Sequence, residues 1–394
     1  MALEFDPAVL GKQAYQFLYR IVTEVGPRPA GQEGETRAAA LIADLLSGWG
    51  YTVERHPFAF APQPRFFPYY TLLAAAFLAG SLLLVVFPWL CLFLPLLAGT
   101  LPLVSDWLLA RLPRSARSAN LTALPRGCDL SQVDLLFCAH LDTARAMPFR
   151  SSFLHGLSRQ IDNAALRLGL ILASVAAFPI FGILLPPAIH LAAISVTVLT
   201  ALVFVGLDLW QQLGEGGRYT PGVSDNASGL GVLLAIAELL AAQPPDRLRV
   251  GFLFTAAEEC GLYGSQRFAA QLKKQFLRPN VVNLDMVGSG DALRLIIASG
   301  AVFPAHTNAA LNDWIERAEP EVRRLEFTRR TSDFVSFLKQ GIPAAGLESN
   351  GTPRFWRAYH TLQDGLALAD EAMLARTAGA MARLVVLLDR DKRD

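Results

Sequence analysis

The chain has 394 residues, 53% of them apolar and 18% charged, against roughly 25% charged in ordinary soluble domains, and its mean hydropathy is +0.35. With 35 basic and 34 acidic residues the net charge is +1, which implies no polyanion-binding surface and argues against a nucleic-acid partner. Disorder is excluded by the hydrophobicity, and the four cysteines (Cys91, Cys128, Cys138, Cys260) show no paired spacing, arguing against a disulfide framework or a thiolate zinc site.

The opening stretch MALEFDPAVLGKQAYQFLYRIV carries Glu4 and Asp6 early and a helical period over about 8–25, so it is not a secretory signal. A second helix is predicted over 33–48, stopped by Gly48 and Gly50, and a strand over 51–60. From Phe66 to Ser105 there follow 40 residues without a formal charge, and a second run of 40, Leu168–Leu207, has His190 as its one ionisable group. One membrane-crossing helix needs about 20 such residues, so each run has room for two. Pro88 and Pro95 in the first run, and Pro186 and Pro187 in the second, fall near the middle, where a turn is expected. This predicts two helical hairpins, roughly 70–87 with 90–107 and 167–185 with 188–207, hence four transmembrane helices and a lipid bilayer as partner.

Each hairpin returns the chain to the side it left, so all remaining residues share one compartment. That side holds Arg65, Arg111, Arg114, Arg117, Arg150, Arg159 and Arg167, whereas neither hairpin tip has a Lys or Arg. The positive-inside rule then places the polar part in the cytoplasm.

Between and after the runs, strands are predicted at 119–124 and 133–140 (VDLLFCAH), a helix from Ser228, a strand at RLRVGFLFTA and a helix at 261–273. Then come a strand at VVNLDMV, one near 293–299, a helix at 305–318, a strand at IPAAGLES and a helix from about 368. Short apolar strands alternating with helices indicate an α/β fold: a mostly parallel mixed sheet sandwiched by helices, interrupted by the two transmembrane hairpins. The expected division is 1–65 and 111–165 as early parts of one domain, 66–110 and 166–210 as the hairpins, and 211–394 as the remainder.

In such sheets, sites form just past the carboxyl ends of the strands. There the chain presents His140 and Asp142, Asp225 ahead of a helix, Glu258 and Glu259, Asp285, and His360 in YHTLQD. Singly these would be structural histidines or solvated carboxylates. Together they follow apolar runs, where an unpaired carboxylate costs several kcal/mol. Imidazole with carboxylate and no thiolate suits Zn²⁺ or a similar divalent ion. The set is too large for one open zinc site and suits two ions sharing a carboxylate, with a further carboxylate to take a proton from metal-bound water.

The motifs HLD, SDNASG, AEECGLYGS, NLDMVG and YHT, in this order, resemble the di-zinc peptidases of clan MH, which include bacterial leucyl aminopeptidases, glutamate carboxypeptidases and glutaminyl cyclases. GPRPAGQEGE and SDFVSFLKQGIPA extend the resemblance over nearly all of the chain outside the hairpins. It implies a zinc aminopeptidase-like fold, His140 and Asp285 on one metal, Glu259 and His360 on the other, and Asp225 bridging. By the same resemblance Glu258 is the general base, Asp142 the orienting carboxylate and Tyr359 an oxyanion donor, with a cis peptide after Asp225. Many relatives have Asp before the bridging residue where this chain has Ser224.

The implied activity is a membrane-anchored dinuclear zinc metallopeptidase, an aminopeptidase, acting on peptide substrates. Glutaminyl cyclase-type acyl transfer and a non-catalytic receptor or scaffold of the same fold stay open. Tyr359, where the cyclases tend to have Trp, favours hydrolysis. The second hairpin falls between Asp142 and Asp225, so either the mouth of the site lies close to the membrane surface or the hairpins serve simply as an anchor.

Overall fold

A computed structural model of the chain describes residues 3–62, 115–146, 186–213, 218–300, 304–349 and 351–392, with isolated positions between 75 and 93. The chain divides into two compact units: Met1–Pro62, Arg114–Ala146 and Arg218–Asp394 form one, Gln63–Pro113 and Met147–Gly217 the other.

Among the described residues the first unit has ten strands: β1 Thr52–Phe60, β2 Ala116–Leu124, β3 Leu135–His140, β4 Val250–Thr255, β5 Asn280–Leu284, β6 Arg294–Ile296, β7 Ala298–Ser299, β8 Ala305–His306, β9 Arg323–Leu325 and β10 Ala344–Glu348. Eight of them make one sheet in the order β1-β2-β4-β3-β5-β10-β6-β9, and β7 pairs with β8 apart from it. The four middle strands, β4-β3-β5-β10, run parallel. Every residue of β3 (LLFCAH) and β4 (VGFLFT) is buried, which is why they are continuous apolar runs rather than alternating ones. β1 alternates because it lies at the edge. The sheet is more mixed than its sequence pattern indicates: β1, β2 and β4 meet antiparallel, as do β10 and β6.

One face carries the helix Ser228–Ala242, whose sequence SGLGVLLAIAELLAA is apolar almost all round because it is buried almost all round. It packs against Pro7–Arg20 and Glu371–Asp391, and Glu33–Gly48 and Ala309–Ala318 complete this layer. Pro7–Arg20 starts on Asp6, whose side chain accepts from the Ala8 N–H, with Pro7 fitting the first turn. Its helical path continues to Val25 in a wider turn, matching the predicted end. Tyr263–Lys274 and Phe334–Leu338 cover the other face around Phe268, Phe334 and Phe337. The strand predicted near 293–299 is present as β6 and β7, and the helix predicted at 305–318 begins at Ala309, after β8; β9, Phe334–Leu338 and Pro353–Ala358 are too brief to show a period.

In the second unit the predicted helix at 188–207 is present as Pro187–Leu213. It buries Thr197 and Ala201 and exposes Leu191, Leu199, Leu202 and Val203, each more than half. The first predicted hairpin and the 167–185 arm of the second lie outside the described residues, so two hairpins are not supported. Among the described residues one helix, Val223–Ala242, is long and apolar enough to cross a membrane, and 78% of its apolar window is buried in the protein. Its hydropathy is that of a core helix.

Candidate metal centre

The predicted residues come together at the carboxyl ends of the parallel strands. His140 ends β3 and Asp142 follows it; Glu258 and Glu259 follow β4; Asp285 follows β5. Asp225 lies in the turn before Ser228–Ala242, and His360 just after the short helix Pro353–Ala358. Three left-handed residues aim these groups: Ala257 (φ 53°) before the glutamates, Met286 (φ 56°) after Asp285, and His360 itself (φ 55°). Non-glycine residues pay for that conformation, and such positions cluster at functional sites. The Asp225–Asn226 peptide is cis.

Asp225 is the hub. Its Oδ1 lies 3.0 Å from His140 Nε2 and its Oδ2 3.1 Å from His360 Nε2, so each oxygen faces a different imidazole. Asp285 Oδ1 is 3.5 Å from His140 Nε2, and Glu259 Oε2 is 3.4 Å from His360 Nε2. Candidate ligand atoms of three groups lie within 4.8 Å of one another: His140–Asp225–Asp285, His140–Glu258–Glu259 and Asp225–Glu259–His360.

The Asp142 carboxylate serves mainly the neighbouring turn. Its Oδ1 accepts from the Glu258 N–H (3.0 Å) and its Oδ2 from the Glu259 N–H (3.1 Å). His140 Nδ1 is 3.1 Å from the Asp142 main-chain carbonyl and 3.6 Å from the carboxylate. Asp142 thus orients the imidazole chiefly through its backbone.

The electrostatics favour a cation. Burial alone would depress the His140 pKa, but Asp142, Asp225 and Asp285 outweigh it and hold the imidazole well above its ordinary range. Burial likewise opposes ionisation of Asp225, yet its contacts with His140 and His360 bring its pKa below the usual carboxylate range. Glu258 and Glu259 are raised well above theirs, first by burial and then by neighbouring carboxylates, Asp285 for Glu258 and Asp225 for Glu259. His140 Nε2 and Asp285 Oδ1 are buried and make no hydrogen bond. Buried lone pairs left without a hydrogen bond among imidazoles and carboxylates that converge on common space are the donor pattern of a metal site. Imidazole and carboxylate donors without thiolate fit zinc.

Several supporting residues lie inside the motifs that carry the resemblance, though their own residue type and spacing point to no role. Asn226 ties two ligand loops: its Nδ2 donates to Leu284 O (2.9 Å), and its Oδ1 accepts from the Gly229 and Met286 N–H groups (3.0 and 3.3 Å). Gly229 is required there, because a Cβ would lie 2.5 Å from Asn226 Oδ1 and 2.6 Å from Leu284 O. Glu35, buried, accepts from the N–H groups of Ala257 and Gly31 (3.1 and 2.7 Å). Burial and the charge of Asp142 push its carboxyl up to about 7. Asp333, buried, accepts from the Thr255 hydroxyl, and burial raises it to about 6. Ser224, in place of the relatives' Asp, faces Ser289 Oγ at 3.1 Å.

Tyr359 stacks on His360, ring centroids 3.9 Å apart. Trp356 meets Tyr359 edge-on at 5.7 Å, with the Arg330 guanidinium 4.5 Å above the indole. Arg330 Nη2 in turn bonds both oxygens of Glu348 at 2.8 and 2.7 Å. Glu348 ends β10, the strand beside β5.

Residues 205–385 match the family model of peptidase family M28. Aminopeptidase YwaD of Bacillus subtilis is 40% identical over 73 residues, 18% of this chain and 16% of that enzyme, so this chain spans less than a fifth of that relative. The solved Porphyromonas gingivalis glutaminyl cyclase aligns over 100% of both chains at 16% identity with a TM-score of 0.58. A Zn-dependent exopeptidase from Parabacteroides distasonis aligns over 95% of this chain and 97% of its own at 13% identity, TM-score 0.56. The two structures share the fold with this chain.

Proposed function

We propose that this chain is a membrane-attached dinuclear zinc aminopeptidase of the M28 type. The observation that carries the proposal is the placement of the Asp225 carboxylate, with one oxygen toward His140 and the other toward His360. A carboxylate so placed would help to hold two ions at once. His140 and Asp285 would hold one of them, and Glu259 and His360 the other.

Zinc bound there supplies Lewis acidity toward the scissile carbonyl and lowers the pKa of water. Glu258 is the general base: it takes a proton from the attacking water and returns it to the leaving amine. Its buried carboxyl, on a turn whose N–H groups are pinned by Asp142, is held at one position for that transfer. The Tyr359 hydroxyl donates to the oxyanion, with the ring fixed by its stack on His360.

The test uses detergent-purified protein, with and without added zinc, on a mixed library of free and end-blocked peptides, with Glu258→Gln as control. Stepwise loss of amino-terminal residues is expected, with the control slower by about 10²–10⁴-fold. Loss of ammonia from amino-terminal Gln peptides would instead support the cyclase reading, which the Porphyromonas gingivalis fold neighbour favours. Wild type no faster than Glu258→Gln would overturn both and leave a receptor.

Membrane attachment rests on the two uncharged stretches and on the exposed leucines of Pro187–Leu213, a surface that water does not favour but lipid does. The arginines flanking the stretches put the first unit on the cytoplasmic side. The chain should stay with membranes through an alkaline carbonate wash. Release into the supernatant would refute the anchor, and cleavage of the first unit by protease added to intact cells would refute the sidedness.

A further inference from the structure

We infer that Arg28 and Asp364 are positioning residues that lock the Asp225 loop to the base of the 147–217 insert, and that zinc affinity depends on this lock. The inference rests on the dinuclear reading above and deepens it.

Arg28 is among the largest fully buried side chains, at 0% exposure. Its Nε donates to Leu141 O (2.8 Å), its Nη1 to Gly26 O (3.0 Å) and Pro221 O (3.2 Å), and its Nη2 to Gly222 O (2.8 Å). The main chain adds a reciprocal pair with Thr143: Arg28 N–H to Thr143 Oγ1 (2.9 Å), and Thr143 N–H to Arg28 O (3.0 Å). The side-chain acceptors are thus carbonyls from three separate segments. A buried guanidinium used this way gathers backbone. Its charge is balanced at longer range: burial lowers its pKa to about 10, opposed by Asp364, Asp142 and Asp225, so it stays protonated at neutral pH.

Asp364 acts from the other side of the same loop. Its Oδ1 accepts from the Ser224 N–H (2.8 Å), its Oδ2 from the Asp225 N–H (3.2 Å), and its carbonyl from the Val223 N–H (3.3 Å). The carbonyls of 221 and 222 are therefore held by Arg28 and the next three N–H groups by Asp364, leaving the Asp225 backbone no slack. Gly222 (φ +62°) makes the close approach possible, since a Cβ there would lie 2.2 Å from Thr143 Cγ2 and 2.8 Å from Arg28 Nη2.

The same residues abut the insert's base. Thr220 N–H donates to Ala144 O and Ala146 N–H to Arg218 O, both at 2.9 Å, and Arg145 pairs with Tyr219. Arg28 grips the chain on both arms of this ladder, at 141–143 and at 221–222. Asp142 and Asp225 lie within three residues of those grips.

The test compares Arg28→Lys and Asp364→Asn with wild type, as full chains in detergent. Lysine keeps the charge but cannot reach four carbonyls; asparagine keeps the shape but turns one donor toward an N–H. Zinc affinity, read by competition with a chromogenic chelator, is expected to fall at least tenfold in each. Affinity within threefold of wild type in both would overturn the inference. Full affinity in Arg28→Lys alone would show that charge rather than positioning matters, and would overturn it too.

A second readout needs no metal. Amide exchange in the zinc-free proteins should rise at least tenfold in segments 141–146 and 218–226 together, with 250–255 unchanged. Unaltered protection in the two segments would overturn the lock even if a variant folds poorly elsewhere. Wild type that takes up no zinc would instead refute the dinuclear reading, while the exchange comparison still decides the lock.

Discussion

Replacing Asp142 by Asn probes the support of the centre without removing a ligand or the base. The side chain is 0% exposed and divides its two oxygens between the Glu258 and Glu259 N–H groups. Asparagine keeps the volume and one acceptor, but its amide nitrogen meets the other N–H donor to donor. One hydrogen bond to a charged group is lost, worth about 1.5–3 kcal/mol. The loss falls on the turn that carries Glu258 and Glu259, and His140 loses a facing anion. At about 1.4 kcal/mol per tenfold, zinc affinity should drop roughly 10- to 150-fold, in line with the 10- to 100-fold typical of groups just outside the ligands. The assay is competitive zinc titration, paired with urea unfolding of the zinc-free protein to separate lost affinity from lost fold. Affinity within threefold of wild type would refute the claim that Asp142 holds the ligand turn.

Gly229→Ala should destabilise the protein by about 1–3 kcal/mol, because the new Cβ meets Asn226 Oδ1 and the Leu284 carbonyl, neither of which has room to retreat; an unchanged urea midpoint would refute it. The Glu35 carboxyl is raised to about 7 in the folded protein, so the folded state holds a proton that the unfolded chain has released above its own carboxylate pKa. Its contribution is therefore full below about pH 4 and lost as pH rises through 7, a change of about 3 kcal/mol at 1.36 kcal/mol per pH unit. Glu35→Gln should flatten that part of the zinc-free stability profile, and a profile parallel to wild type would refute it. Replacing 63–113 and 147–217 by short glycine-containing turns should leave a unit that unfolds cooperatively and binds zinc, since both gaps are closed by paired backbone; loss of cooperative unfolding would refute that.

The candidate site residues were legible because the sequence marks strand ends twice, by the end of an apolar run and by the polar residue placed there. His140 after LLFCA, Glu258 after GFLFTAA and Asp285 after VVNL each carry both marks. The supports carry neither. Arg28 in GPRPAG resembles an ordinary loop arginine, and its burial follows from contacts 113 to 194 residues away. Asn226, Glu35 and Asp364 likewise bond backbone groups brought together only by the fold. The parallel centre of the sheet could be inferred from unbroken apolar strands, whereas antiparallel β6 beside β10 could not, since Arg294–Ile296 is too short to show a face.

The placement of the long inserts follows from the same accounting of backbone bonds. The first opens where β1 and β2 are already paired to Phe60↔Ala116, at the end of a closed antiparallel ladder. The second opens after Ala146, where the return strand at Arg218 completes the pairing. Neither gap exposes a buried strand edge, and closing a longer loop costs only about 0.6 kcal/mol per doubling of its length. The fold therefore tolerates each insertion at small cost to its core. The second gap differs from the first in what lies just inside it. Asp142 is four residues before Ala146, and Asp225 seven after Arg218. On either side of that gap the buried Arg28 side chain holds the backbone, at Leu141 before it and at Pro221 and Gly222 after it.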